Sequence, residues 1–278
     1  MAGRARGVPG GNVAAHVDPA VSRSTQEWEA GIGPAHRTVE LTMDRDEILS
    51  WVKAERLSLA DFFESLHDEE WEAASLCAGW TIHDVAAHLT LSTRTTLAGS
   101  ITGIIRARGN WDRMEADKAR ERAAGFGRPA LIAQLRETAG SSRRAPGAAP
   151  LDPLVDALVH GQDVARPLGR RRDMPVDRTV AALGHVHGTI FYGARKRLRG
   201  TKLVATDADW SAGAGPDEVS GPVGDLLLLA TGRPEGLAGL SGPGVRRVEA
   251  ALRWHRRASR VVSCRGASRF RRHGVGAG

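Results

Sequence analysis

The stretch DPLVDALVHGQDVARPLG, residues 152–169, decides the fold because it predicts one well-bounded helix with a polar row on one face. Asp152 suits an N-cap and Pro153 suits the first helical position. Pro167 and Gly169 end the helical pattern about four turns later. Both boundaries of this helix are therefore predicted from residue type alone.

The polar row of this helix contains Asp156, His160 and Asp163. Spacings of four and three residues put these side chains on the same side of a 3.6-residue spiral. The apolar surface beside the row is supplied by Leu154, Val155, Leu158 and Val159. A carboxylate and an imidazole four residues apart can converge on one metal ion, or they can form an ordinary helix-surface pair.

The charge of the chain is unevenly distributed. The chain has 278 residues and a formal net charge of +7, but residues 255–278 hold seven arginines and no acid, and the rest is balanced. A basic protein is a candidate for nucleic-acid binding. Because only a Gly-rich tail is basic here, the sequence disfavours nucleic acid as the main partner.

The two cysteines, Cys77 and Cys264, form neither a C-x-x-C pair nor a secreted disulfide pattern. Their number and spacing predict a reducing, cytoplasmic location. The sequence lacks the apolar core of a signal peptide, and no run approaches the roughly 18 to 20 apolar residues of a membrane span. We therefore expect no membrane partner.

Composition divides the chain into four parts. Residues 1–42 lack sustained periodicity and are predicted to be a disordered extension. Residues 43–199 carry helical periodicity, and residues 200–254 change to short strands, turns and short helices. Residues 255–278 are predicted to be a disordered, Arg-rich tail. The predicted fold is mainly α, with a helical bundle followed by a small α+β domain.

Helical periodicity places further elements along the bundle. A first helix is predicted from Asp44 to about His67. A second begins at Thr81, which forms a capping box with Asp84, and its predicted buried stripe is Val85, Leu89, Ile101, Ile104 and Ile105. The charged run 112–122 fits either a helical turn or a loop. The remaining predictions are a helix over 129–138, a loop over 140–150 and a helix from 176 to about 198.

Chemistry-bearing residues are few. The nucleotide-binding glycine motifs, the H-E-x-x-H motif and the G-x-S-x-G motif are absent, which excludes nucleotide-driven and α/β-hydrolase chemistry. His88 remains on the second helix, with Asp156 and His160 on the later one. Two imidazoles and a carboxylate from facing helices can hold a divalent ion and leave one coordination position open. Hydrogen-bonded core histidines are the alternative.

Four segments together resemble the mycothiol-dependent maleylpyruvate isomerase family. They are SLCAGWTIHDVAAHL (75–89), LVDALVHGQDVARPLG (154–169), KLVATDADW (202–210) and LLLLATGRP (226–234). The resemblance covers about residues 43–254 and leaves both tails unmatched. It implies a DinB-like four-helix bundle followed by a sterol-carrier-protein-like α+β domain.

The resemblance also implies a set of site residues. In that family the positions matching His88, Asp156 and His160 bind a divalent metal, usually zinc. Arg233, in TGRP, is implied as a catalytic residue that reaches the site from the second domain and pairs with a substrate carboxylate. The family's acid is typically glutamate, and Asp156 is one methylene shorter. The helix must therefore lie closer, or a water must fill the gap.

The implied function is thiol chemistry on a small electrophile. Mycothiol would be the thiol cosubstrate of an isomerase or an S-transferase. Asp163 would orient the side chain of His160 or of Arg166 without binding the metal itself. The alternative is that Asp163 forms an ion pair on the protein surface. Two other functions stay open, namely a non-catalytic ligand- or metal-binding protein and a non-haem iron site.

Other candidates are weaker. His83, His185 and His187 are expected to be surface or structural residues, and Cys77 is expected to be a packing residue. Trp80 is expected to help form the wall of the pocket.

Overall fold

The computed structural model describes residues 43–253, and this part of the chain is mainly helical. The predicted extension at 1–42, the predicted tail at 255–278 and Cys264 lie outside the described residues. The helices are α1 (Arg45–Glu64), α2 (Asp68–Trp71), α3 (Ile82–Leu91), α4 (Leu97–Arg106), α5 (Trp111–Gly125), α6 (Arg128–Glu137), α7 (Asp152–Ala165), α8 (Val176–Gly188), α9 (Ala194–Arg197) and α10 (Val223–Ala230), with 3₁₀ turns at Arg166–Leu168 and Pro234–Gly239. A further helix, α11, covers 245–253. Within these residues, no helix combines the length and the apolar character that crossing a bilayer requires.

Four helices form the bundle that holds the site. Helix α1 packs against α6 and α7, and α3 packs against the same two helices. Helix α5 covers the outer side of α3, while α8 packs on α7 and on α10. The predicted mainly α architecture, a four-helix bundle followed by a small α+β part, is confirmed.

Helix α7 lies at the centre and is buried on almost every side. Its residues Leu154 and Leu158 belong to a core shared with α8, α10 and the sheet. Its residues Ala157 and Val164 belong to a second core shared with α1, α3 and α6. Burial on both sides explains why this short segment organises the fold.

The start of α7 differs from the prediction by one residue. Leu151 is the N-cap and Asp152 is the first helical residue. The Asp152 carboxylate accepts a hydrogen bond from the backbone N–H of Ala149, 2.7 Å away, instead of capping the helix. The helix ends as predicted, because the 3₁₀ turn at Arg166–Leu168 leads to Gly169 with a left-handed φ of 64°.

The predicted second helix is wrong beyond Leu91. Helix α3 ends there, and the separate helix α4 begins after Thr96, whose side chain caps it. Both the backbone N–H and the hydroxyl of Thr95 donate to the carbonyl of Leu91, each at 2.9 Å, and they close the turn that follows α3. Consequently Ile101 and Ile105 are 51% and 69% exposed rather than buried.

The structure decides one open alternative and corrects one further helix prediction. The charged run 112–122, for which a helical turn and a loop were both open, lies inside helix α5. Helix α8 stops at Gly188 instead of continuing to about 198, and Gly193 turns the chain with a φ of 67° into the short helix α9. As a result Ile190, which falls within the predicted helix, lies outside α8 and is 86% exposed.

The C-terminal part contains three strands, β1 (Thr201–Ala205), β2 (Ser211–Ala212) and β3 (Asp217–Gly221), in the order β2-β1-β3. Strand β1 pairs antiparallel with β2 and parallel with β3. Its central residue Leu203 is fully buried in the same core cluster as Leu158 of α7. The α+β part therefore shares its core with the bundle, and the division at residue 199 into two domains stays a prediction.

A buried ion pair fixes α1 against the start of α8. Glu55 is only 3% exposed and accepts hydrogen bonds from Arg172 at 2.9 Å and Arg178 at 2.8 Å. Gly161 of α7 makes room for this contact, because a Cβ at that position would lie 2.5 Å from Nε of Arg172. The pair therefore depends on three separate segments of the chain.

We expect the substitution Glu55→Ala to lower the free energy of unfolding by about 3 kcal/mol, because it leaves a buried guanidinium without its partner. Urea denaturation followed by circular dichroism measures this loss. Asp173→Ala is the control, since it removes an ion pair with Arg171 that is largely exposed to solvent. Equal losses in the two variants would contradict the interpretation.

Candidate metal site and cavity

The structure brings together the three residues that the sequence nominated as metal ligands. Nε2 of His88, on α3, lies 3.6 Å from Oδ1 of Asp156, on α7. Nε2 of His160, one turn further along α7, lies 3.4 Å from the same oxygen. The ligand atoms of the three side chains are all within 4.8 Å of one another.

This donor set fits a small divalent cation. A tetrahedral zinc ion with bonds of about 2.0–2.1 Å holds its ligand atoms roughly 3.3–3.4 Å apart, close to the measured separations. Asp156 reaches both imidazoles although it is one methylene shorter than glutamate, because α3 and α7 pack directly on each other. Two imidazole nitrogens and one carboxylate oxygen leave a fourth position open.

The start of α3 fixes the position of His88. The side chain of Thr81 accepts from the N–H of Asp84, and the Asp84 carboxylate accepts from the N–H of Thr81 at 2.9 Å. This confirms the predicted capping box. Trp80, just before the cap, places its ring 5.2 Å from that of His88 and 6.4 Å from that of His160.

Asp163 contacts the nitrogen of His160 that does not face Asp156. Its carboxylate is completely buried and accepts a hydrogen bond from Nδ1 of His160 at 2.9 Å, which leaves Nε2 directed at Asp156. The thiol of Cys77 donates to the same carboxylate at 3.2 Å. The alternative of a surface ion pair is therefore wrong, and Arg166 pairs with Asp225 instead.

Arg233 reaches this region from the α+β part, but it contacts Asp163 and does not line the cavity. Its Nη2 and Nε donate to the two oxygens of Asp163 at 2.8 and 3.2 Å, and its Nη1 donates to the carbonyl of Thr231. The guanidinium therefore lies on the side of His160 that faces Asp163. Its geometry is that of a positioning residue, whereas the sequence had suggested a residue that binds the substrate.

These contacts shift the pKa values of the ionisable side chains in the cluster. Burial opposes ionisation of Asp156, but the charge of His88 and hydrogen bonds from both imidazoles outweigh it and hold the pKa of Asp156 well below its usual range. Burial likewise opposes protonation of His160, yet Cys77, Asp156 and Asp163 together raise its pKa. The pKa of Asp163 is lowered, against its burial, chiefly by His160 and Arg233.

A cavity of about 740 Å³ opens beside the three nominated ligands. Its wall contains residues of α3, α5 and α7, the loop before α7 and the turn after α8. Trp80 lines it, as predicted, and so do Cys77, Trp111, Glu115, Phe191 and Tyr192. The open side of the cluster therefore faces a space large enough for small ligands.

Sequence reasoning missed a hydrogen-bonded group at the edge of this cavity. Oδ1 of Asp152 accepts from Nε2 of His185 at 2.7 Å and from the hydroxyl of Tyr192 at 2.8 Å. His185 is structural as expected, but it also borders the cavity. The signal in the sequence was the four-residue spacing of Asp152 and Asp156, which puts both on one face of α7.

Glu115 was also missed, because the charged run around it was not assigned to a helix. Its Oε2 is 3.5 Å from Nδ1 of His88. That nitrogen is buried and forms no hydrogen bond of good geometry with any described residue. By contrast, His83 and His187 lie outside the cluster, packed edge-on against Trp71 and Trp210.

Comparison with known proteins gives one family match. Residues 52–176 match the model of the mycothiol maleylpyruvate isomerase N-terminal domain. Among solved structures, the chain is similar to the mycothiol-dependent maleylpyruvate isomerase, with 15% identity and a TM-score of 0.48, and to a mutant of that enzyme, with 14% identity and a TM-score of 0.48. Each alignment covers 73% of this chain and 94% of the other. No curated protein matches the chain.

We expect Asp163→Asn to weaken zinc binding by about tenfold to a hundredfold, because the carboxylate that orients His160 is lost while all three ligands remain. Competition with a chromogenic chelator measures the affinity, at a temperature where circular dichroism shows both proteins folded. The control Asp225→Asn breaks another Asp–Arg pair between α7 and the α+β part, without touching a nominated ligand. A loss of the same size in this control would assign the effect to packing.

Proposed function

We propose that the chain is a metal- and thiol-dependent enzyme, on the premise that residues 52–176 match the model of the mycothiol maleylpyruvate isomerase N-terminal domain. It acts as an isomerase or an S-transferase on a small electrophilic substrate, with mycothiol as the thiol. The observation that carries this proposal is the convergence of His88, Asp156 and His160 beside one cavity.

The metal of this proposal is a divalent cation, and zinc is the ion that the donor set favours. His88, Asp156 and His160 hold it, and the fourth position faces the cavity. When bound, the cation supplies the positive charge that stabilises a thiolate, the nucleophilic form of the cosubstrate.

The chain's own residues prepare the site for this chemistry. Asp163 keeps the proton of His160 on Nδ1, so that Nε2 is free to bind. The ring of Trp80 lies beside both imidazoles. Arg233 neutralises Asp163. The ligands are therefore oriented before any substrate enters.

The proposed reaction begins when the thiolate sulfur adds to an electrophilic carbon of the substrate. In an isomerase, the addition turns a double bond into a single bond, rotation follows, and the sulfur leaves as the double bond reforms. In an S-transferase, the new carbon–sulfur bond is kept, the neighbouring carbon takes up a proton equivalent to the one that the thiol released, and the adduct is the product. Both versions need the same cavity and the same thiol.

Two alternatives make different predictions. A non-catalytic ligand-binding protein would hold a molecule in the cavity without accelerating any thiol reaction. A non-haem iron protein would use the same two histidines and carboxylate for iron. The cytoplasmic location is part of our proposal, because mycothiol chemistry needs a reducing compartment in which a thiol persists.

We expect purified protein to contain about one zinc ion per chain, and His160→Ala and His88→Ala to lose it, because each substitution removes one of only three ligands. Elemental analysis by mass spectrometry measures the content. His83→Ala is the matched control on the same helix as His88. Iron in place of zinc would favour the non-haem iron alternative. The absence of any metal under every loading condition would overturn the proposal.

We also expect the protein to accelerate adduct formation or isomerisation of small electrophiles only when mycothiol is present. A panel of activated alkenes, monitored by mass spectrometry with and without the thiol, measures this dependence. The acceleration should disappear in His160→Ala and persist in His83→Ala. Ligand binding without any thiol-dependent rate would support the non-catalytic alternative.

A further inference from the structure

The cavity beside the nominated metal site is lined by acids without compensating cations. Four carboxylates face it, those of Asp112, Glu115, Asp152 and Asp156, and no lysine or arginine occurs among its described lining residues. A divalent cation held by Asp156 and the two histidines would offset two of the four negative charges. The wall would therefore stay negative in the metal-loaded protein.

Two of these acids, Asp112 and Glu115, come from α5. They are three residues apart and share one side of the helix. Among the described residues, neither has a lysine or arginine within ion-pairing distance, and the ionisable group next to Glu115 is the imidazole of His88, 3.5 Å away. Their charge is therefore available to a ligand.

The arginines near the site are already occupied. Arg56, buried near the cavity, donates to the carbonyls of Thr138 and Ser141 and to the hydroxyl of Ser92. Arg233 is bound to Asp163 through two donors. A substrate carboxylate would thus meet acids and no free guanidinium, which disfavours its binding.

Aromatic rings form the rest of the wall. Trp80, Trp111, Phe191 and Tyr192 line the same cavity. Trp111 and Phe191 meet edge to face with ring centroids 6.2 Å apart, and Phe191 and Tyr192 do so at 5.3 Å. Aromatic faces together with carboxylates are the groups with which proteins bind ammonium ions.

From this lining we infer that the electrophile taken by the cavity carries a positive charge, such as an ammonium group, and is not a carboxylate. The inference deepens the proposed function and rests on it, since it names the substrate class of the same site. Dicarboxylates, the class to which maleylpyruvate belongs, are the substrates that this wall rejects most strongly.

The test measures binding of three probes of similar size that differ in charge, namely benzylammonium, benzyl alcohol and benzoate. Titration calorimetry on the zinc-loaded protein at low salt gives their affinities. We expect benzylammonium to bind about tenfold more tightly than benzoate, with benzyl alcohol between them, and the difference to shrink as salt is raised. Equal or tighter binding of benzyl alcohol or benzoate, or no binding of benzylammonium, overturns the inference.

Two charge-neutralising variants identify the acids responsible. Asp112→Asn and Glu115→Gln should each reduce the preference for benzylammonium over benzoate about threefold, because each removes one negative charge from the wall. Glu69→Gln is the matched control, an exposed acid on α2 outside the cavity, and it should leave the preference unchanged. An unchanged preference in both cavity variants overturns the inference.

Zinc content is measured in every variant, since Glu115 lies next to His88 while Asp112 contacts none of the three nominated ligands. The binding experiment needs neither thiol nor turnover. A wrong charge preference therefore overturns the substrate class alone, whereas the absence of zinc or of thiol dependence overturns the proposed function.

Discussion

The structure depends on one constraint: helix α7 is buried on nearly all sides, yet it carries a row of ionisable side chains. Burying such groups without partners would cost several kcal/mol each. Asp156, His160 and Asp163 pair partly with one another along α7, and their remaining partners, like those of Asp152, come from other elements. Helix α3 supplies His88, the turn after α8 supplies a tyrosine hydroxyl, and the α+β part supplies a guanidinium. The polar row thus determines how the surrounding elements are placed, and the site results from satisfying it.

Asp163 links the candidate metal site to the rest of the fold. Its two oxygens are shared between His160, Cys77 and Arg233, which belong to α7, the loop before α3 and the α+β part. The backbone carbonyl of the same residue accepts from the N–H of Leu76, which holds that loop against α7. The ring orientation of His160 is consequently coupled to the docking of the C-terminal part.

Local patterns in the sequence predicted a good deal of this arrangement. The capping box at Thr81 set the phase of α3 correctly, and helical spacing alone put Asp156 and His160 on one face. What could not be predicted were partners distant in sequence, such as Asp163 for Arg233 or Tyr192 for Asp152, because spacing along one helix says nothing about what packs opposite. The predicted continuous second helix was wrong beyond Leu91 because the apolar spacing of Ile101, Ile104 and Ile105 belongs to the separate helix α4, and apolar spacing alone does not show a break between two helices.

Arg233 pairs with Asp163, and this pairing competes with the binding of a substrate carboxylate that the sequence had suggested for the same guanidinium. Three of its nitrogens donate to Asp163 and to the carbonyl of Thr231. Turning toward a substrate carboxylate would deprive the fully buried Asp163 of its arginine partner and leave it only the hydrogen bonds from His160 and Cys77. Arg233 is thus committed to holding the nominated ligands, and recognition of the substrate falls to the residues that line the cavity. There the available groups are carboxylates and aromatic rings, so under the proposed function the arrangement that orients the nominated ligands would also disfavour anionic substrates.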